Sequence, residues 1–156
     1  MRVAAFVLVI GIVSALPASA RAQAGAWEFG IGPNVALRED STVHSGGGIT
    51  FARRSRTLAA VLEASGTRRR GHNDWRLVGG PRVALGTTGR SAFFAQVLAG
   101  TLIRQRDADW AVLPGAGVDV RWTDWSAVRV QIDAPVERSE ARTAKSARAS
   151  VWLTFY

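Results

Sequence analysis

From Trp27 onward the chain alternates apolar and polar residues in runs of about ten, the spacing of β-strands rather than helices. The last three runs are the most regular. Ala116, Val118, Val120 and Trp122 alternate with Gly117, Asp119 and Arg121. After the turn residues Thr123-Asp124, Val128, Val130, Ile132 and Ala134 alternate with Arg129, Gln131 and Asp133. Ala147, Ala149, Val151, Leu153 and Phe155 then oppose Arg148, Ser150, Trp152 and Thr154. Successive side chains of a strand point to opposite faces, so each run has one apolar and one polar face.

Five looser runs precede these, centred on Trp27–Ile31, Ile49–Phe51, Leu58–Ser65, Trp75–Leu85 and Phe93–Thr101. The total of eight predicts an all-β fold, a single eight-stranded antiparallel up-and-down barrel. Pro33, Pro81 and Pro114 fall inside runs, each at or near a glycine. Because proline has no N–H for a ladder, bulges or strand ends are expected there. Connections at 53–56, 87–89 and 123–124 read as short. Those at 38–44, 67–74, 104–109 and 137–145 read as longer and more charged, which is the asymmetry of an outer-membrane barrel.

Alternation does not by itself say which face meets lipid, water or a lumen. The polar face carries Glu28, Glu63, Asp119 and Asp133 together with Arg76, Arg82, Arg121 and Arg129. Four acids and four arginines can neutralise one another inside a barrel just wide enough for side chains. Trp27, Trp75, Trp110, Trp122 and Trp125 sit at the ends of runs, where a membrane barrel carries its aromatic girdles. The apolar face is light for the core of a soluble barrel. All three features favour the transmembrane arrangement, apolar side out. Trp152 breaks the rule, having the parity of the polar face.

The segment before Trp27 has a different character. Arg2, an apolar run from Val3 to Leu16 and the small-residue stretch Pro17–Ala24 have the layout of a secretory signal peptide. The run is shorter than the roughly 18–20 residues of a spanning helix. Residues 1–24 are therefore read as an export signal, cleaved after Ala20, Ala22 or Ala24, and residues 25–156 as one barrel domain. The chain has no cysteine, which excludes disulfides and thiol chemistry. Its formal charge is +8, and Lys145 is its one lysine among twenty basic residues. The arginines are spread over turns and strands rather than along one helical face, so nucleic acid is not the expected partner.

With these strands in view, the chain resembles the small outer-membrane β-barrels of the OmpA/OmpX type over roughly residues 27–156. The resemblance rests on the hairpin Gly115-Ala116-Gly117-Val118-Asp119-Val120-Arg121-Trp122-Thr123-Asp124-Trp125-Ser126-Ala127-Val128-Arg129-Val130-Gln131 and on the aromatic C-terminus, Phe155-Tyr156. In such families the terminal aromatic is the signal read by the barrel-assembly machinery. The outward aromatic here is Phe155, one position before the end. The resemblance implies a barrel without an open pore and no particular activity, placed in the bacterial outer membrane.

Candidate chemistry is sparse. A His44, Ser45 and Glu63 set would suit a lipid A-modifying barrel enzyme, but neighbours on a strand face opposite ways, so His44 and Ser45 cannot pair directly. His44, His72, Asp40 and Asp74 match no metal spacing. Gly46-Gly47-Gly48 lacks the residues of a phosphate loop. Arg68-Arg69-Arg70 reads as a solvated tip or a contact for lipopolysaccharide phosphates. The expectation is a monomeric, non-catalytic barrel without cofactor or metal, whose partners are outer-membrane lipid, lipopolysaccharide and the assembly machinery. The alternative is a soluble exported barrel that binds a small apolar ligand.

Overall fold

A computed structural model describes residues 26–39, 41–69, 72–104, 107–138 and 143–156. The export signal expected over residues 1–24 lies outside the described residues, as do Asp40 and Arg70. Nine strands follow in order: β1 (Trp27–Arg38), β2 (Val43–Ser55), β3 (Leu58–Arg69), β4 (His72–Thr88), β5 (Ser91–Arg104), β6 (Asp107–Arg121), β7 (Ser126–Asp133), β8 (Val136–Arg138) and β9 (Thr143–Phe155). β7 and β8 are two parts of one stave, since both pair with β6 and with β9 in unbroken register on either side of Ala134-Pro135. β1 pairs with β9 from Phe29↔Phe155 to Arg38↔Ser146, so the sheet closes on itself as an eight-stave antiparallel barrel. Closure gives each stave a partner on both sides through the belt, as backbone lying in hydrocarbon requires.

The prolines do not produce the expected bulges. Pro33, Pro81 and Pro114 pair with Gly47, Ala60 and Val97 on one side, and the ladder skips them on the other without changing register. Each thus stands where its missing N–H interrupts only one ladder. The carbonyl of Pro114 still accepts a bond from Ala134 N at 2.8 Å, across the break between β7 and β8. Among the described residues the register shift lies elsewhere, at Ala84/Gly86 on β4.

The expected contrast between long and short connections is also absent. β3 and β4 are separated only by residues 70 and 71, and β5 and β6 only by 105 and 106. The charged segments that read as loops are largely strand, because Arg68, Asp74, Arg104 and Asp109 continue the alternation past the apolar belt and stay in register with neighbouring strands.

Apolar side chains face outward over most of the barrel. Phe29, Ile31, Ile49, Leu62, Leu77, Val97, Val130, Ile132 and Val151 are all exposed. The interior is mixed rather than purely polar. Val61, Val78, Leu98, Leu102, Leu113 and small alanines form a buried cluster along the β2–β6 wall. Trp152 is buried inside, so its odd parity in the sequence is that of a lumen residue.

The seam between β1 and β9 depends on Gly32, where an added Cβ would lie 1.9 Å from the carbonyl oxygen of Val151. Gly32→Val is therefore expected to cost at least the roughly 1–3 kcal/mol of overpacking, or to prevent closure. The outward Ile31→Ala should cost less. Urea titrations followed by tryptophan fluorescence in micelles would compare the two.

Candidate functional site

Among the described residues, chemistry-bearing side chains converge in the lumen, and the alternation of each strand sends them there. At the end where β1 begins and β9 ends, Glu28 is buried and meets three arginines. Arg54 Nε donates to Oε2 at 2.7 Å, Arg82 Nη1 to Oε1 at 2.8 Å, and Arg129 Nη1 lies 2.6 Å from Oε1. Arg129 also grips Asp119 with two parallel bonds, Nε to Oδ1 at 2.6 Å and Nη2 to Oδ2 at 2.9 Å. Such bidentate pairs are the strongest form of this contact. The guanidinium carbons of Arg82 and Arg129 lie 4.8 and 5.0 Å from the ring centre of Phe94, which adds a cation–π contact.

A second group sits mid-barrel. Arg148 donates from Nη2 to Asp133 Oδ2 at 2.7 Å and pairs with Glu63 through both terminal nitrogens. Gln96 joins the two groups, accepting from Arg82 Nε at 3.0 Å and donating to Asp133 at 3.4 Å. Gln131 donates to both oxygens of Asp133, at 3.1 and 3.0 Å. A third group closes the opposite mouth. There Glu137 pairs with Arg76 at 3.0 Å, with Arg104 and with Arg38, while Asp74 and Asp109 flank Arg104. Among the described residues seven arginines and seven carboxylates take part, so the lumen is formally neutral. Buried charges this deep demand partners, because an uncompensated one costs several kcal/mol.

Of the eight lumen residues expected from the sequence, Glu28, Glu63, Arg76, Arg82, Asp119, Arg129 and Asp133 are brought together inside. Arg121 is not. It has the right parity but lies at the very end of β6, beyond the filled lumen, and is exposed. Seven members escaped the sequence reading, among them Arg38, Asp74, Arg104 and Asp109, which bound segments expected to be long loops. Arg148 carried the right parity on the last strand, whereas Arg54 and Glu137 fell in segments taken for a turn and a loop.

The five girdle tryptophans are all exposed and lie in two bands, Trp27, Trp122 and Trp125 at the terminal end and Trp75 and Trp110 at the other. Phe155 faces outward and stacks on Trp125 at 5.7 Å and on Phe29 at 6.5 Å, bridging the closure seam. Tyr156 turns into the mouth beneath Arg54, whose guanidinium lies 4.6 Å from its ring centre. His44 faces inward near Thr42, and its neighbour Ser45 faces out. Glu63 is held by Arg148, so these three do not assemble.

No family model matches the sequence, and neither does any curated protein. Solved structures do match. Neisserial surface protein A aligns over 83% of this chain and 94% of its own, with a TM-score of 0.67 at 7% identity. Ail, the attachment invasion locus protein of Yersinia pestis, aligns over 85% and 99%, with a TM-score of 0.61 at 10% identity. A de novo designed transmembrane β-barrel aligns over 86% and 97%, with a TM-score of 0.51 at 16% identity. At these identities the likeness is one of fold, and this chain has the fold of the small eight-stranded outer-membrane barrels.

Proposed function

We propose that this chain is a non-catalytic bacterial outer-membrane protein, monomeric and without an open pore, whose role is structural or is exercised at its surface. The observation that carries this reading is a plugged lumen inside an apolar exterior. Leu98, Leu102, Leu113, Trp152 and Arg129 are each 0% exposed across the bore, while the large aliphatic and aromatic side chains point outward. A soluble barrel for an apolar ligand would have the reverse polarity. Catalysis finds no support, since the lumen carboxylates are engaged by arginines and Ser45, beside the inward His44, faces out.

With an even number of staves the barrel begins and ends on one side, which is the periplasmic side in such barrels. The other end then meets the outer leaflet, and there Arg68, Arg138 and Lys145 are exposed on outward positions. Phosphates of lipopolysaccharide are the fitting partner for these cations. The stacked Phe155 at the end of β9 is the residue offered to the assembly machinery during biogenesis. The charge network is read as the plug that holds the bore shut.

Three outcomes follow. The purified chain should require detergent, show heat-modifiable gel mobility and give no conductance steps in a planar bilayer; a detergent-free monomer or steady channels would remove the reading. Arg148→Leu, which leaves Glu63 without its arginine and Asp133 with only glutamine donors, should lose about 3–5 kcal/mol of stability, measured by urea unfolding in vesicles. Glutamine at Arg68, Arg138 and Lys145 together should lower lipopolysaccharide retained through purification, with folding unchanged.

A further inference from the structure

The rim at the terminal end is uneven. β3 stops pairing with β4 at Leu58↔Val83, and Ala84 N makes a last bond to Thr57 O at 2.8 Å. β4 nevertheless continues along β5 as far as Thr88↔Ser91, so residues 85–88 have no partner on the β3 side. The bulge at Ala84/Gly86, where Gly86 takes a φ of +152° open to glycine, stands at the start of this extension. A notch is left between the two hairpins.

The notch holds a cavity of about 110 Å³, against the roughly 10–15 Å³ that one water requires. Arg54, Arg56, Arg82 and Arg121 line it together with one carboxylate, Asp119. Arg54 and Arg82 are committed to Glu28 and Asp119. Arg56 and Arg121 are exposed and form no ion pair among the described residues. Arg56 holds a φ of +51°, which is uncommon for a residue with a long side chain. Glu28 and Asp119 already answer Arg54 and Arg82, so Arg56 and Arg121 bring charge to this space that no carboxylate answers among the described residues, and their planar forks suit phosphate oxygens. Leu58 and Phe93 form the outer lip and belong to the apolar exterior, at 52% and 46% exposure. An amphiphile could therefore place its anionic head in the notch and run its chain along the barrel wall.

We infer that this notch is a binding site for a phosphate group, one per barrel, supplied by the headgroup of an anionic phospholipid in the adjoining leaflet or by a free phosphate. The phospholipid source rests on the membrane reading above, whereas the phosphate chemistry does not. Arg56 and Arg121 are the specificity-determining residues, because their charge is not already spent inside the lumen.

The test uses the folded chain in nonionic micelles, offered phosphatidylglycerol, the uncharged diacylglycerol, or inorganic phosphate. Native mass spectrometry counts retained lipid, and NMR of the arginine Nε–H groups follows phosphate. One phosphatidylglycerol should be retained per barrel, and diacylglycerol should not. Arg56→Gln with Arg121→Gln should weaken retention about tenfold or more. Arg53→Gln with Arg90→Gln, two exposed arginines of the same end outside the notch, should leave it unchanged. Lipid retention without a response to inorganic phosphate assigns the headgroup as the source, and a response to both assigns the phosphate group alone. Equal losses in the two double variants, or no retention of either probe, would overturn the site. Should the chain stay monomeric without detergent, the membrane reading falls and the inorganic phosphate titration in water decides the notch by itself.

Discussion

Arg129 has no exposed surface and cannot give up its charge, so the barrel around it must supply negative partners. Glu28 and Asp119 do so from β1 and β6. Those two carboxylates in turn draw Arg54 from β2, and Glu28 also draws Arg82 from β4. One buried cation thus ties together strands that are not neighbours in the sheet. The same logic, repeated by Arg148 with Glu63 and Asp133, makes the cross-section rigid where backbone hydrogen bonds act only around the circumference.

This constraint explains why the interior is mixed. A bore this narrow is filled by side chains, and charges that are desolvated need near-exact neutralisation. The wall from β2 to β6 is filled by leucines, valines and alanines, which need no partners. The charges gather where Phe94, Gln96 and Trp152 also stand, so each ionic group is walled off by apolar or neutral polar surface. Outside, stacked aromatics at the terminal end tie β9 to β1 across the closing seam. Among the described residues the excess of cations lies at the rims, beyond the part of the bore that must be neutral. At the terminal rim it coincides with a step between neighbouring hairpins.

Much of this was legible in the residues themselves. A period of two in hydrophobicity is a local property of a strand, so eight strands and the parity of Glu28, Asp119, Arg129 and Asp133 could be read without knowing the partners. The tryptophans at strand ends were readable for the same reason. Arg54 and Glu137 were hidden because a charged residue near a strand end resembles a loop residue until the opposite wall of the barrel is known. Arg121 erred the other way. Its parity was correct, but parity does not report how far along the axis the lumen stays filled.

The sequence by itself determined the strand class, the two-faced pattern and the charges available, since these follow from side-chain chemistry and the pleat of an extended chain. Only the tertiary structure decided the pairings of the charges, the closure at Gly32 and the unequal rim. Those depend on the register of each strand against the next, and register relates residues as far apart as Glu63 and Arg148. The prolines illustrate the division. Sequence showed that each must disturb a ladder, and the fold showed that each disturbs one side only, where a neighbouring strand could pass without its hydrogen bond.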